Sequence, residues 1–322
     1  MDIKTSFFTS LDPEIAAQIT ALAPPEFQVE THPIDLSDED LIPLVIEAEF
    51  LILFPGRLSA MVLREAKNLK LIQLLSAGYE HMDLELCAAL AIPVANNGGA
   101  NAIDVAEHTL ALILGLYRRL VEQDREIRKG HWDPVDSART TYTIDGKTVA
   151  LIGLGHIGRH VAQRLKPFGA QILYVDEQPA PAEFGAALAL ERVSLSEALS
   201  RADILSLHVP LTPGTRGLIG IEELAKMRPT ALLINTCRGS VIDQSALVTA
   251  LRQGRILGAG LDVFSPEPLP PDHPLLKLPN VLLTPHIAGT TRDTWCRRGR
   301  FAFANLRRVW EGNQPLAQIG LS

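Results

Sequence analysis

Residues 148–168 run Thr-Val-Ala-Leu-Ile-Gly-Leu-Gly-His-Ile-Gly-Arg-His-Val-Ala-Gln-Arg-Leu-Lys-Pro-Phe. A β-branched apolar run passes through three glycines in six residues and enters a helical pattern without any polar linker. A strand joined so tightly to a helix must have the helix packed back along it, and a parallel strand is the natural continuation. The same rhythm extends in both directions. Before it, residues 3–8, 27–31, 50–54, 69–75 and 93–96 read as strands. Residues 13–22, 38–48, 59–67 and 83–91 read as helices, with Asp12, Ser37 and Ser59 as N-caps. After it, strands are predicted at 171–175, 203–209, 230–236, 256–263 and 281–284, following a first at 147–152. Alternation of this kind predicts an α/β chain with parallel sheets covered on both faces.

A length of 322 residues fits two such domains. The rhythm breaks near Asn97-Gly98-Gly99, where one long helix is predicted over 103–129, apolar at its start and charged at its end. With Trp132 it suits an interdomain spine, a dimer face or an ordinary core helix. The helix predicted over 292–311 is expected to return to the first domain. The expected division is therefore residues 1–98 plus 291–322, and residues 99–290, the latter carrying six strands. Both domains are expected to be doubly wound.

The formal net charge of −7 and the lack of a long lysine and arginine run argue against a nucleic-acid partner. Cys87, Cys237 and Cys296 form no CxxC pair, which disfavours a disulfide framework or a zinc site. No basic segment leads into an apolar one at the N-terminus, and the apolar stretch 109–117 is shorter than the ~20 residues a bilayer needs. A soluble, cytoplasmic, metal-free protein is expected.

Gly153, Gly155 and Gly158 stand in the context of a dinucleotide fingerprint, after a strand and at the start of a helix. Gly153 would allow the tight turn, Gly155 the close approach of a pyrophosphate, and Gly158 the packing of helix on strand. The helix N-terminus would add free amides and partial positive charge. Asp176 ends the next strand, near the ~20-residue separation at which a carboxylate meets the adenosine ribose hydroxyls. That carboxylate would repel a 2′-phosphate, so NAD is expected over NADP; Glu177 could share the task.

Three polar residues follow later strands: Arg238, Glu267 and His286. Alone, each has an ordinary use, as a rim ion pair, a solvated loop acid or a structural histidine. All three belong on the edge of the sheet where open α/β folds bind ligands. An arginine fork can take a carboxylate bidentately, and a histidine oriented by a carboxylate can move a proton at neutral pH. Gly239 is expected to let the chain bend beyond the guanidinium. Cys237, beside it, reads as a small apolar residue closing the strand.

The order of residues 153–158, 201–211 with Thr212 and Thr215, 235–243, 260–264 with Pro266-Glu267-Pro268, and 284–289 resembles the D-isomer-specific 2-hydroxyacid dehydrogenases. The resemblance covers most of the chain. It implies a Rossmann NAD-binding domain beside a flavodoxin-like substrate domain. Arg238 would bind and orient substrate, His286 would be the general acid/base, and Glu267 its partner. Cofactor contacts are implied at His156, Ile157, Asp176, Val209, Thr236, Cys237, Arg238, Asp262, His286 and Gly289, besides the three glycines. Residues 75–79 resemble the loop whose backbone amides hold the substrate carboxylate, which makes Ser76, Ala77 and Gly78 substrate candidates with Arg238 and His286. Segment 101–108 resembles the family's connection between domains.

The expected activity is therefore reversible, NAD-linked reduction of a small 2-keto acid, such as glyoxylate or hydroxypyruvate, to the D-2-hydroxy acid by a homodimer. An NAD(H)-sensing binding protein of the same fold is the alternative. Oxidation of formate is a second, disfavoured because loop 75–79 carries no added basic group. No regulatory extension like that of many phosphoglycerate dehydrogenases is visible after the return helix.

Overall fold

A computed structural model describes residues 3–320; residues 1, 2, 321 and 322, at the ends of the predicted first domain, lie outside the described set. The described chain forms two compact units, one within Met1–Asn101 and Thr290–Ser322, the other Ala102–Gly289.

In the first unit, β1 (Ile3–Thr9), β2 (Phe27–Pro33), β3 (Phe50–Phe54), β4 (Leu71–Leu74) and β5 (Val94–Ala95) form a parallel sheet ordered β2-β1-β3-β4-β5. Helices α1 (Pro13–Thr20), α2 (Asp38–Ile46), α3 (Ala60–Glu65) and α4 (Leu84–Ala89) connect them. This is the flavodoxin-like order. The expected caps are in place: Asp12 accepts from the Glu14 amide at 2.8 Å, Ser37 from Asp40 at 3.3 Å and Ser59 from Val62 at 3.2 Å. Strand alternation sends Phe8, Leu51, Leu53 and Ile72 to one face and Phe7, Phe50, Ile52 and Leu71 to the other. All are fully buried, each contributing about 1.5–3 kcal/mol relative to exposure.

The second unit begins with α5 (Ala102–Tyr117), α6 (Leu120–Arg128) and α7 (Pro134–Thr140). The single helix predicted over 103–129 is thus two. Arg119 at the junction adopts a left-handed φ of 50° and spends its guanidinium on Glu122, Asp136 and Thr140, which fastens α6 and α7 to each other. Helix α5 is a core helix, burying Val105, Ala106, Leu110, Leu112, Ile113 and Tyr117, whereas α6 has no buried residue.

Next come β6 (Thr148–Ile152), α8 (His156–Leu165), β7 (Gln171–Val175), α9 (Ala182–Leu188), β8 (Glu191–Arg192), α10 (Leu195–Arg201) and β9 (Ile204–Leu207). They lead to α11 (Ile221–Lys226), β10 (Leu232–Asn235), α12 (Gln244–Arg252), β11 (Gly258–Leu261) and β12 (Val281–Leu283). The parallel sheet is ordered β12-β11-β10-β9-β6-β7-β8, the doubly wound arrangement of dinucleotide-binding domains. Seven strands replace the six predicted; β8 is two charged, exposed residues, too short for any periodicity to mark.

Helix α13 (Thr294–Trp310) then returns to the first unit and packs on α1 and β4. The chain ends by pairing with β5, where Ile319 N donates to Val94 O at 2.8 Å and Asn96 N to Ala317 O at 3.1 Å. Among the described residues, no helix is long and apolar enough to cross a membrane.

Candidate active site

Strand β6 ends at Gly153, whose φ of 96° is costly for a side chain, and a Cβ there would lie 2.5 Å from His208 O. A Cβ on Gly158 would lie 2.2 Å from Gly153 O, so α8 can approach the turn only without one. Around Gly155 a Cβ would meet nothing within 4 Å: the space beside this backbone is open. Gly155 is the N-cap of α8 and brings no side-chain cap, leaving the first amides to another acceptor. Asp176, after β7, accepts from the Leu154 amide at 2.6 Å, which fixes the carboxylate beside the glycine turn. An open, uncapped helix start beside a fixed carboxylate suits a diphosphate joined to a ribose.

His208 backs this turn. Its Nε2 lies 2.9 Å from Ser206 Oγ, while Nδ1 is closed off from solvent without a hydrogen-bond partner. Burial pushes the imidazole down to about 3 from its ordinary 6.5. The unfolded chain therefore takes up a proton below that ordinary value which the folded chain refuses, and stability falls as pH drops from about 6.5 towards 3. This one group contributes a slope of about 1.4 kcal/mol per pH unit. Urea unfolding of His208→Asn between pH 7 and 4 is expected to show a shallower acid decline than the parent; equal slopes would refute the assignment.

At the next strand ends, Asn235 shapes the turn that carries Arg238. Its Oδ1 accepts from the Cys237 amide at 3.0 Å and its Nδ2 donates to Arg238 O at 2.9 Å. Arg238 is half-buried and donates to Cys237 O at 2.6 Å. The chain does bend at Gly239, from extended Arg238 into a 3-10 turn over Gly239–Val241; a Cβ there would lie 2.0 Å from the Phe264 backbone, so close passage of that chain is what requires glycine. Cys237 is buried, and burial pushes its thiol up to about 11, which makes it a packing residue.

Glu267 accepts from the Phe264 amide at 2.8 Å through Oε1, and its Oε2 lies 2.8 Å from His286 Nδ1. Burial works to raise this carboxyl. The hydrogen bonds from His286 and the Phe264 amide, with the nearby charges of His286 and Arg238, outweigh it and hold the group below the usual carboxylate range. With Nδ1 engaged, Nε2 is the nitrogen left for proton transfer.

Asp262, expected as a cofactor contact, is fully buried. Its carboxylate accepts from Thr284 Oγ1 at 2.6 Å and from the amides of Ile287 at 2.9 Å and Ala288 at 2.8 Å. It thereby holds the loop in which His286 adopts a φ of 56°. His108 of α5 closes this group, 2.9 Å from Thr284 Oγ1. Thr236 is buried too and meets Thr109 at 3.1 Å. Sequence reasoning gave Asn235 and Thr284 no part, since neither carries a signal apart from the neighbours it bonds.

In the first unit, β4 leads into Ser76, Ala77 and Gly78, all half-buried. Their carbonyls are taken: Ser76 O by the Asn97 amide at 3.1 Å, Ala77 O by Asn96 Nδ2 at 3.1 Å, and Gly78 O by Ser76 Oγ at 2.7 Å. Among the described residues no acceptor meets the amides of Ser76, Ala77 and Gly78.

A family model described as D-isomer specific 2-hydroxyacid dehydrogenase, NAD binding domain, matches residues 110–288. The chain belongs to this family. Glyoxylate reductase of Thermofilum pendens is 42% identical over 286 residues, covering 88% of this chain and 84% of that protein. The chloroplastic/mitochondrial formate dehydrogenase of Arabidopsis thaliana is 36% identical over 292 residues, 89% of this chain and 73% of its own length. The NAD-complexed D-isomer specific 2-hydroxyacid dehydrogenase of Lactobacillus delbrueckii ssp. bulgaricus superposes with a TM-score of 0.84 at 27% identity, covering 98% of this chain and 100% of its own. This 2-hydroxyacid dehydrogenase is an NAD-dependent oxidoreductase, and the glycine turn, the start of α8 and Asp176 are the features that suit its cofactor.

Proposed function

We propose that this 2-hydroxyacid dehydrogenase reversibly reduces a small 2-keto acid, such as glyoxylate or hydroxypyruvate, to the D-2-hydroxy acid. The observation that carries the reading is the 2.8 Å pair of Glu267 and His286, set after the same sheet's strands as Arg238 and the glycine turn. NADH, when bound, supplies the hydride for the carbonyl carbon. Arg238 binds the keto acid and polarises its carbonyl. His286 Nε2 gives the carbonyl oxygen its proton, and Glu267 on Nδ1 directs the ring and balances its charge. Within the first unit, the amides of Ser76, Ala77 and Gly78 are suited to act as a nest for a carboxylate.

The reading is supported by the similarity to a glyoxylate reductase. The similarity to a formate dehydrogenase makes formate oxidation the second reading; against it, residues 75–79 bring no basic side chain. Purified protein assayed with NADH against glyoxylate, hydroxypyruvate and pyruvate, and with NAD against formate, separates them. Turnover of formate alone would overturn the proposal, and tight NADH binding without any turnover would favour a sensor.

The chain is further proposed to act as a homodimer. The face is narrower than residues 103–129, because α5 is buried in its own unit. What stands out is Leu120, Val121, Ile127, Trp132 and Val135, with Trp132 82% exposed. Both charge signs are interspersed among them, with Glu122, Asp124 and Glu126 beside Arg125, Arg128 and Lys129, so the patch carries no single-sign field to repel a second copy across a two-fold contact. Light scattering is expected to give a dimer for the parent and a monomer for Trp132→Asp; a monomeric parent at micromolar concentration would end the idea.

A further inference from the structure

The loop 75–78 is held from below by an unusual set of amide side chains. Asn96 and Asn97 follow β5, beside the end of β4. Asn97 is 1% exposed: its backbone amide donates to Ser76 O at 3.1 Å and its Nδ2 to Leu75 O at 3.4 Å. Asn96 Nδ2 donates to Ala77 O at 3.1 Å. The same two side chains accept from the next turn, Asn96 Oδ1 from Gly98 N at 3.0 Å and Asn97 Oδ1 from Gly99 N at 3.1 Å. Gly98, at φ 56°, has no room for a side chain: a Cβ there would lie 2.3 Å from the Phe301 ring of α13.

The pair is itself anchored. Gln73 Nε2 donates to Asn96 O at 2.8 Å, and Asn305 Nδ2 donates to Gln73 Oε1 at 2.7 Å; Gln73 and Asn305 are 0% and 1% exposed. Asn305 Oδ1 accepts from Leu316 N at 2.7 Å, which ties in the C-terminal segment. Arg298 of α13, 4% exposed and 4.6 Å from the Trp295 ring, adds a second donor to Leu75 O at 3.1 Å. Buried amide groups are retained only when satisfied, and this network satisfies them by consuming the carbonyls of consecutive loop residues. A peptide plane whose carbonyl is fixed on one side presents its N–H on the other. Satisfying the carbonyls therefore aims the amides.

We infer that Asn96 and Asn97 are positioning residues for substrate: they clamp the carbonyls of Leu75, Ser76 and Ala77 so that the loop's amides converge on a carboxylate. The inference rests on the proposed reading of that loop as the carboxylate nest, and the test separates the two. Asn97 is part of the core, whereas Asn96 is half-buried and serves the loop tip directly. Asn96 is therefore the residue to change.

Asn96→Ala removes the donor to Ala77 O, and with it the acceptor for Gly98 N, and is expected to raise KM for glyoxylate about five- to tenfold. Change in kcat is expected to be less than twofold, with the NADH dissociation constant and the melting temperature unaltered. Asn96→Asp keeps the acceptor for Gly98 N but loses the donor to Ala77 O, and should raise KM at least as much; it serves as the second variant should alanine destabilise the unit. Ala77→Pro deletes one amide of the nest itself. An unchanged KM in Ala77→Pro would refute the reading of the loop. A raised KM in Ala77→Pro with parental values in both Asn96 variants would overturn the clamp alone, as would parallel losses in NADH affinity and melting temperature.

Discussion

His286→Ala is expected to lower kcat for keto-acid reduction by about 100- to 10,000-fold, the usual worth of a positioned acid/base group. NADH affinity should be retained, because the glycine turn, α8 and Asp176 are built without this ring. The loss is expected to have a pH signature. Reduction consumes a proton delivered through Nε2, so the parent rate of reduction should fall with rising pH, and the alanine variant should lack that limb. Oxidation of the hydroxy acid runs the other way, rising with pH. At the acid end the sign belongs to Glu267, whose carboxyl is held below the usual range. Its stabilisation of the pair is present above the ordinary carboxylate range and is lost only as pH falls through the lowered value. A parent and a variant with the same pH profile would remove His286 from the chemistry, and so would a kcat loss under threefold.

Arg238→Ala is expected to cost about 100-fold or more in kcat/KM on 2-keto acids. The arithmetic follows from two charge-assisted hydrogen bonds at ~1.5–3 kcal/mol each, with a factor of ten for every ~1.4 kcal/mol. Arg238→Lys should recover little, since one ammonium cannot reproduce the planar fork. Both KM and kcat should change, because the same guanidinium binds the acid and polarises the carbonyl in the transition state. The variant should fold: Arg238 is half-buried, and its turn is built by Asn235 and Gly239. Calorimetric NADH binding and steady-state kinetics on glyoxylate check this, and parental turnover would end the assignment.

Much of this was legible in the residues. The βα rhythm, the caps Asp12, Ser37 and Ser59, and the glycine motif are local, because each is a matter of period, side-chain reach or φ within a few residues. The positions of Arg238, Glu267 and His286 just beyond strand ends are local as well. Where the reading failed, the deciding contact came from far along the chain. The break at Arg119 depends on Asp136 and Thr140, and no periodicity within 103–129 announces it. What surrounds Gly239 and Asp262 is likewise set from a distance, without overturning what was expected of them: Phe264 passes over the one, and the amides of Ile287 and Ala288 meet the other.

By itself the sequence determined the class of fold, two parallel α/β units with a glycine turn at the head of one helix, because backbone preference and apolar period act over short spans. It also placed the three chemical residues on the edge where such sheets bind ligands. Only the tertiary structure decided which carboxylate is free to meet His286 and which is spent inside the protein. It alone set the carbonyls of residues 75–78 against Asn96, Asn97 and Arg298. Those outcomes rest on hydrogen bonds that span up to 223 residues. Buried polar groups take whichever partner the packed fold brings within reach, and a linear sequence does not state which that will be.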